Sequence, residues 1–247
     1  MKQFALILCL LLASCATTSG PPVDKSKMAE GYYMKGLSHL REKNYEMASV
    51  EFNRSIQTDD HYKQAFYGLG LISDYQGKLQ DSEKFYQEAI DIDSSYSEAY
   101  NALGVVYFKE QKWKDAEKSF KKALENKLYT TPHVPYLNLG DMYMAQKNYG
   151  KAIEAYRDSK RFVVLELTVF RLGTALFEAG KNREAIKELQ EGVGLAPQNA
   201  NFRYSLGVAY LKEGSKKSAL AEFKKAAELA PGSEIAQKAK DYIKTLR

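Results

Sequence analysis

The stretch NALGVVYFKEQKWKDAEKSFKKA (residues 101–123) decides the fold. In it, Gly104 is followed twelve residues later by Ala116 and sixteen residues later by Phe120. The same triplet recurs along the chain. Glycines stand at Gly36, Gly70, Gly104, Gly140, Gly173 and Gly207, with spacings of 34, 34, 36, 33 and 34. Ala48, Ser82, Ala116, Ala152, Ala185 and Ala219 follow in step, and so do Phe52, Tyr86, Phe120, Tyr156, Leu189 and Phe223. Self-similarity at a fixed period of about 34 residues marks an array of helical hairpins.

The residue types make physical sense on such a hairpin. A small residue in the first helix lets the second helix approach closely, and the small residue of the second helix reciprocates. The aromatic four positions on, as in Ala116 and Phe120, lies on the same face one turn later and is expected to fill the space between hairpins. Turn-prone pairs sit between the helices: Lys43-Asn44, Gly77-Lys78, Lys147-Asn148, Gly180-Lys181 and Gly214-Ser215. Pro197 and Pro231 stand where the last two second helices must stop. Beyond them Ile235, Ala239, Tyr242 and Leu246 recur at helical spacing, while Lys238, Lys240 and Lys244 give the other face the polarity a terminal cap needs.

This pattern resembles the tetratricopeptide (TPR) repeat family over roughly residues 29–231. The resemblance implies an all-α fold, a right-handed superhelical solenoid of six TPR hairpins with a C-terminal capping helix. The repeats fall at about 29–62, 63–96, 97–132, 133–165, 166–199 and 200–233, with the cap at 234–247. Repeats five and six carry the family's terminal proline and the others do not. Repeat five has Val169 where an aromatic is usual.

In TPR proteins the first helix of each hairpin lines an inner groove through repeat positions two, five, nine and twelve. By this resemblance the fifth position supplies Tyr33, Tyr67, Asn101, Leu137, Phe170 and Tyr204. The ninth supplies Leu37, Leu71, Val105, Asp141, Thr174 and Val208. The twelfth supplies Leu40, Asp74, Phe108, Met144, Phe177 and Leu211. Such a trough is mostly apolar and studded with aromatics, which suits a protein partner laid in it as an amphipathic helix or strand. The competing reading is that tight curvature, or the N-terminal tether, buries these side chains. Chaperone-type TPRs clamp a terminal carboxylate with Lys and Asn at positions five and nine, and only Asn101 fits that pattern. Trp113, at the start of a second helix, reads as packing between hairpins.

Composition limits the alternatives. Of 247 residues, 45% are hydrophobic, 12% aromatic and 27% charged, with a formal net charge of +5, which suits a folded body and not a disordered chain. Lysines such as Lys112, Lys114, Lys118, Lys121 and Lys122 alternate with acids along helical segments, so the expected surface is ion-paired and not a nucleic-acid stripe. His39, His61 and His133 fall in different repeats and on different faces, so no histidine metal cluster is expected. Gly68-Leu69-Gly70 lies inside a helix, not after a strand, and is no phosphate loop. Neither a catalytic constellation, a cofactor nor a small-molecule substrate is expected.

The N-terminus carries an address. Met1-Lys2-Gln3 is followed by an apolar run, Phe4 to Leu12, too short for a membrane span and ending in Leu12-Ala13-Ser14-Cys15. That ending resembles a bacterial lipobox. The resemblance implies a signal peptide over 1–14, a covalent lipid on Cys15 and a polar tether over 15–27. Cys9 would leave with the signal, so no thiol remains for disulfide or metal. Several acyl chains on one residue give stable membrane attachment. Ala16, where Asp marks inner-membrane lipoproteins, points to the outer membrane facing the periplasm.

The junction between repeats three and four is two residues long of the period. It reads Asn126-Lys127-Leu128-Tyr129-Thr130-Thr131-Pro132, then Tyr136-Leu137-Asn138-Leu139-Gly140. With the lipobox and the repeat number, this resembles the type IV pilus pilotin family, although a Pro directly follows the Tyr in that family and here Thr130-Thr131 intervene. The resemblance implies an outer-membrane lipoprotein that binds secretin subunits and assists their assembly. Other TPR lipoproteins suggest two different roles. One is an adaptor of cell-wall synthases or periplasmic proteases, and the other a component of the outer-membrane protein insertion machinery.

Overall fold

A computed structural model describes residues 24–246. The signal segment 1–14, Cys15 and the tether as far as residue 23 lie outside the described residues. Among the described residues there are thirteen α-helices and no strand. Six hairpins follow one another: α1 (Lys25–Arg41) with α2 (Tyr45–Thr58), α3 (Lys63–Tyr75) with α4 (Leu79–Ile92), α5 (Ser97–Lys109) with α6 (Trp113–Ala123), α7 (His133–Ala145) with α8 (Tyr149–Phe162), α9 (Glu166–Glu178) with α10 (Asn182–Leu195), and α11 (Ala200–Lys212) with α12 (Lys216–Leu229). A last helix, α13 (Glu234–Thr245), packs on α12 and α11. The all-α solenoid expected from the period is the structure. Its start differs slightly, because α1 begins at Lys25 and takes in residues 25–27, read from sequence as tether. Asp24 fixes that start, its carboxylate accepting the Lys27 backbone N–H at 3.2 Å.

The triplets hold each hairpin together, in a way that corrects one expectation. A Cβ placed on Gly36, Gly70, Gly104, Gly140 or Gly207 would come within 2.3 to 2.7 Å of ring carbons of Phe52, Tyr86, Phe120, Tyr156 or Phe223 respectively. The ring sixteen residues on therefore lies over the glycine of its own hairpin, and the glycine makes room for a ring as much as for a helix. In the fifth hairpin the Leu189 side chain takes the ring's place over Gly173. All six side chains at this position are fully buried, each contributing about 1.5–3 kcal/mol of burial free energy. The second edge of the Phe52 ring meets Gly68 of the next hairpin, so that ring also bridges two repeats.

Every turn between the two helices of a hairpin uses one residue of positive φ. Three are glycines, Gly77, Gly180 and Gly214 (φ 72 to 81°), and three are not, namely Lys43, Gln111 and Lys147 (φ 56 to 59°). The sequence reading found five of these turns and missed the third, because Gln111-Lys112 carries no turn-forming residue. Asn44 and Asn148 then cap the second helices, accepting the N–H groups of Met47 and Lys151.

The stacking explains the curvature. First helices of successive hairpins touch, α1 on α3, α3 on α5, α5 on α7 and α9 on α11, and α11 touches the cap α13, whereas the backbones of successive second helices lie farther apart. The first helices thus form the short, inner side of the curve. Among them α7 and α9 pack least closely. The linker between α8 and α9 is extended, with Val163 at φ −154°, ψ 135° and Leu165 at φ −109°, ψ 143°.

The long junction before α7 is pinned at its start. Asn126 donates its side-chain N–H to the Ser95 carbonyl at 3.1 Å, and its Oδ1 accepts the Leu128 N–H at 2.9 Å. This turns Leu128 to solvent, 88% exposed, and half-buries Tyr129. On the outer surface, lysines read as ion-paired do pair, Lys121 with Glu117 at 2.6 Å and Lys122 with Glu125 at 2.9 Å. No helix among the described residues is long and apolar enough to cross a membrane.

Candidate functional site

The side chains that the repeat positions assign to the groove all stand on first helices, α1, α3, α5, α7, α9 and α11. Tyr33, Leu37, Tyr67, Leu71, Asn101, Val105, Phe108, Leu137, Met144, Phe170, Phe177, Tyr204 and Val208 are each half-buried, neither lost in the core nor fully exposed. They do not form one uniform trough. Three of the aromatics are clamped between rings of their own hairpin and of the next helix. Tyr33 sits 5.6 Å from Phe52 and 5.5 Å from Tyr62, Tyr67 5.6 Å from both Tyr86 and Tyr96, and Tyr204 5.8 Å from Phe223 and 6.2 Å from Tyr242. These tyrosines act first as ties between repeats. Burial, aided by the nearby Tyr129 and Glu98, raises the hydroxyl pKa of Tyr67 above its usual range.

Polar groups interrupt the inner side at two levels. Asn138 of α7 donates to Asn101 of α5 at 2.9 Å, joining two first helices. Deeper, Asp141 Oδ1 accepts both the Tyr156 hydroxyl (2.7 Å) and Nη1 of Arg171 (2.6 Å). Burial raises the Asp141 pKa even though Tyr156 and Arg171 both pull it down. Arg171 comes from α9, so this network spans the space where α7 and α9 fail to close. Its Nε is buried without a partner.

A cleft of about 320 Å³ opens in that space, walled by Met144, Leu167, Phe170 and Tyr156 and edged by Asp141, Arg171 and Thr174. Sequence reasoning named Met144, Phe170, Asp141 and Thr174 but passed over Leu167 and Arg171. Leu167 had a signal, since it occupies the second repeat position that faces the groove. Arg171 had none, because its partner lies thirty residues back on another hairpin. Trp113 packs against Phe108 at 5.8 Å, a contact between the two helices of one hairpin and not between hairpins as the sequence suggested.

One group outside the groove brings together metal-ligating types. Asp59, Asp60 and His61, at the turn after α2, place their ligand atoms within 4.8 Å of one another. Asp59 Oδ1 already accepts the His61 backbone N–H, and Asp60 meets the His61 ring at 2.6 Å, so the group is an exposed turn held by its own hydrogen bonds. The inner side offers shape, apolar surface and a few charge-assisted hydrogen bonds, which are the means of holding another polypeptide.

Comparison with known proteins agrees with this geometry. Tetratricopeptide-repeat families match at residues 29–62 and 135–161, 97–127 and 170–234, and a TPR-repeat family matches at 75–111. The chain is a tetratricopeptide-repeat solenoid. Two solved structures share this shape over most of their length. One is pilF of Pseudomonas aeruginosa, with a TM-score of 0.75 and 18% identity, covering 88% of this chain and 98% of that one. The other is PilW, described as a widely conserved type IV pilus biogenesis factor, with a TM-score of 0.75 and 17% identity, covering 87% of this chain and 99% of that one. YrrB, a TPR protein with an unusual peptide-binding site, is also similar, at a TM-score of 0.64 and 22% identity, covering 77% of this chain and 97% of that one. At these identities the likeness is one of fold. Among curated proteins, the human intraflagellar transport protein 88 homolog is 28% identical over 93 residues, or 35% of this chain. The chain spans only 11% of that protein's length.

Proposed function

We propose that this protein is a lipid-anchored binding scaffold of the outer membrane that acts as a type IV pilus pilotin, holding secretin subunits on its inner face while they reach the membrane and assemble. The observation that carries the reading is architectural. Six hairpins and a cap match nearly the whole of two pilus-related structures, and the inner face they form is apolar and only half-buried. The Leu-Ala-Ser-Cys ending of the apolar N-terminal run supports an anchor at Cys15. A soluble body on such an anchor would search for partners at the membrane surface, which raises their effective concentration.

Two variants test the reading in cells that depend on this chain for pilus assembly. Cys15→Ser is expected to move the protein from the membrane to the soluble fraction. Val105→Glu combined with Val208→Glu places two charges on first helices, at residues that do not line the α7–α9 cleft. It is expected to leave membrane attachment intact and to lower heat- and detergent-resistant secretin multimers at least fivefold. A protein still anchored after Cys15→Ser would refute the lipid site, and undiminished multimers in the double variant would refute the inner face as the secretin-binding surface.

A further inference from the structure

Apolar exposure is not spread evenly over the molecule. Eleven large hydrophobic side chains are exposed among the described residues, and four of them, Phe162, Val164, Leu165 and Leu167, fall within six residues of chain. They lie at the α8–α9 junction, and Leu167 (49% exposed) forms one wall of the cleft between α7 and α9. Elsewhere on the inner side, ring-to-ring contacts between hairpins already occupy the aromatic surface, as at Tyr33 and Tyr67.

The cleft also carries one incompletely used cation. Arg171 has five N–H donors, and it makes a single hydrogen bond, from Nη1 to Asp141. Its side chain is 40% exposed, but Nε is buried without a partner, so Nη2 is the group left to meet a ligand in the cleft. A guanidinium nitrogen with a free N–H can make a charge-assisted hydrogen bond to one further carboxylate. Asp141 Oδ1 is already shared between Nη1 of Arg171 and the Tyr156 hydroxyl. The volume, about 320 Å³, stands at the lower end of the roughly 300–1,000 Å³ range of ligand pockets. It admits one large side chain and excludes a helix.

We propose that the α7–α9 cleft is the specificity pocket of the groove, seating one large apolar side chain of an extended partner segment while Arg171 pairs with an acidic side chain next to that anchor. The apolar walls Met144, Leu167 and Phe170 receive the side chain. The exposed side chains of Val164 and Leu165 precede Leu167 in the chain and add to the apolar character of this junction. Arg171 fixes the register by favouring a carboxylate beside the anchor over an amide or an ammonium. This rests on the inner face being a polypeptide-binding surface, and it adds where along that face the selection is made and for what sequence.

The probe is a set of fluorescein-labelled twelve-residue peptides on one Gly/Ser frame with Phe-Asp, Phe-Asn, Phe-Lys or Ala-Asp at the centre, titrated into the protein and read by anisotropy and by amide shifts of α9. Phe-Asp is expected to bind at least tenfold more tightly than Phe-Lys or Ala-Asp. Arg171→Gln is expected to shrink the Asp-over-Lys preference to twofold or less while Phe still exceeds Ala. Thr174→Phe, which fills the cleft, is expected to abolish the preference for Phe over Ala. Thermal melts of both variants establish that they are folded. Should Thr174→Phe not fold, Leu167→Ser is expected to give the same loss.

Equal binding of all four peptides, an absence of binding by any, or a charge preference that survives Arg171→Gln would overturn the cleft as specificity pocket. The groove reading is judged separately, by secretin multimers in the Val105→Glu/Val208→Glu protein. Failure of one therefore does not carry the other with it.

Discussion

Gly140 shows how much one missing carbon matters here. A Cβ at that position would stand 2.3 Å from the Tyr156 ring, a ring that is itself buried and tied through its hydroxyl to Asp141. Gly140→Ala is therefore expected to destabilise the fold by about 1–3 kcal/mol, since an overpacked core must shift a ring with nowhere to go. Gly31, in the middle of α1, has no neighbour within 4 Å of such a carbon. Gly31→Ala is expected to stabilise by about 0.5–1 kcal/mol, the usual helix preference for Ala over Gly. Chemical denaturation of the two variants checks both signs. The repeated glycines were legible in sequence because a steric demand recurs with the period. The reason for them was less so: spacing alone does not say whether a glycine faces a helix backbone or a ring. Arg171 was not legible at all, since nothing near it in sequence marks a partner on a neighbouring hairpin.

At the scale of single elements, the six intra-hairpin turns share one geometry and differ in strain. Gly77, Gly180 and Gly214 adopt positive φ freely, whereas Lys43, Gln111 and Lys147 hold it against the preference of residues with a Cβ. Gln111→Gly is expected to stabilise the third hairpin by up to about 1 kcal/mol, the gain from relieved strain exceeding the added freedom of the unfolded chain. Slower amide exchange in α5 and α6 would show it, and faster exchange would contradict it. The helices themselves were readable because each presents the same small and aromatic residues at the same places. The turn at Gln111 was not, because its conformation is imposed by the two helices it joins and not by its own residue type.

At the scale of the whole molecule, each hairpin contacts its neighbours and little else, so stability approximates a sum of hairpins and the interfaces between them. The C-terminal end depends on α13, whose Tyr242 stacks on Phe223 at 4.6 Å with the rings nearly parallel at 5°. Deleting residues 234–247 is expected to uncover that ring and the Tyr204 beside it. The midpoint of thermal unfolding should fall by several degrees, and concentration-dependent association should appear in sedimentation. An unchanged, monomeric protein would contradict the capping role of α13. Hairpin number and order could be read from the period, but the place where the stack loosens could not. It depends on an extended linker, the polar network of Asp141, Tyr156 and Arg171, and the loose packing of α7 on α9 acting together. That loosening has a mechanical consequence. Between the fourth and fifth hairpins the inner rail of the solenoid is joined by the Asp141–Arg171 pair in place of close helix packing, and bending there is opposed mainly by α8 packed on α9. Tension applied between the two ends of the molecule will gather at this one articulation, so a load pulled along the groove widens the rod first at the spot where Leu167 stands open.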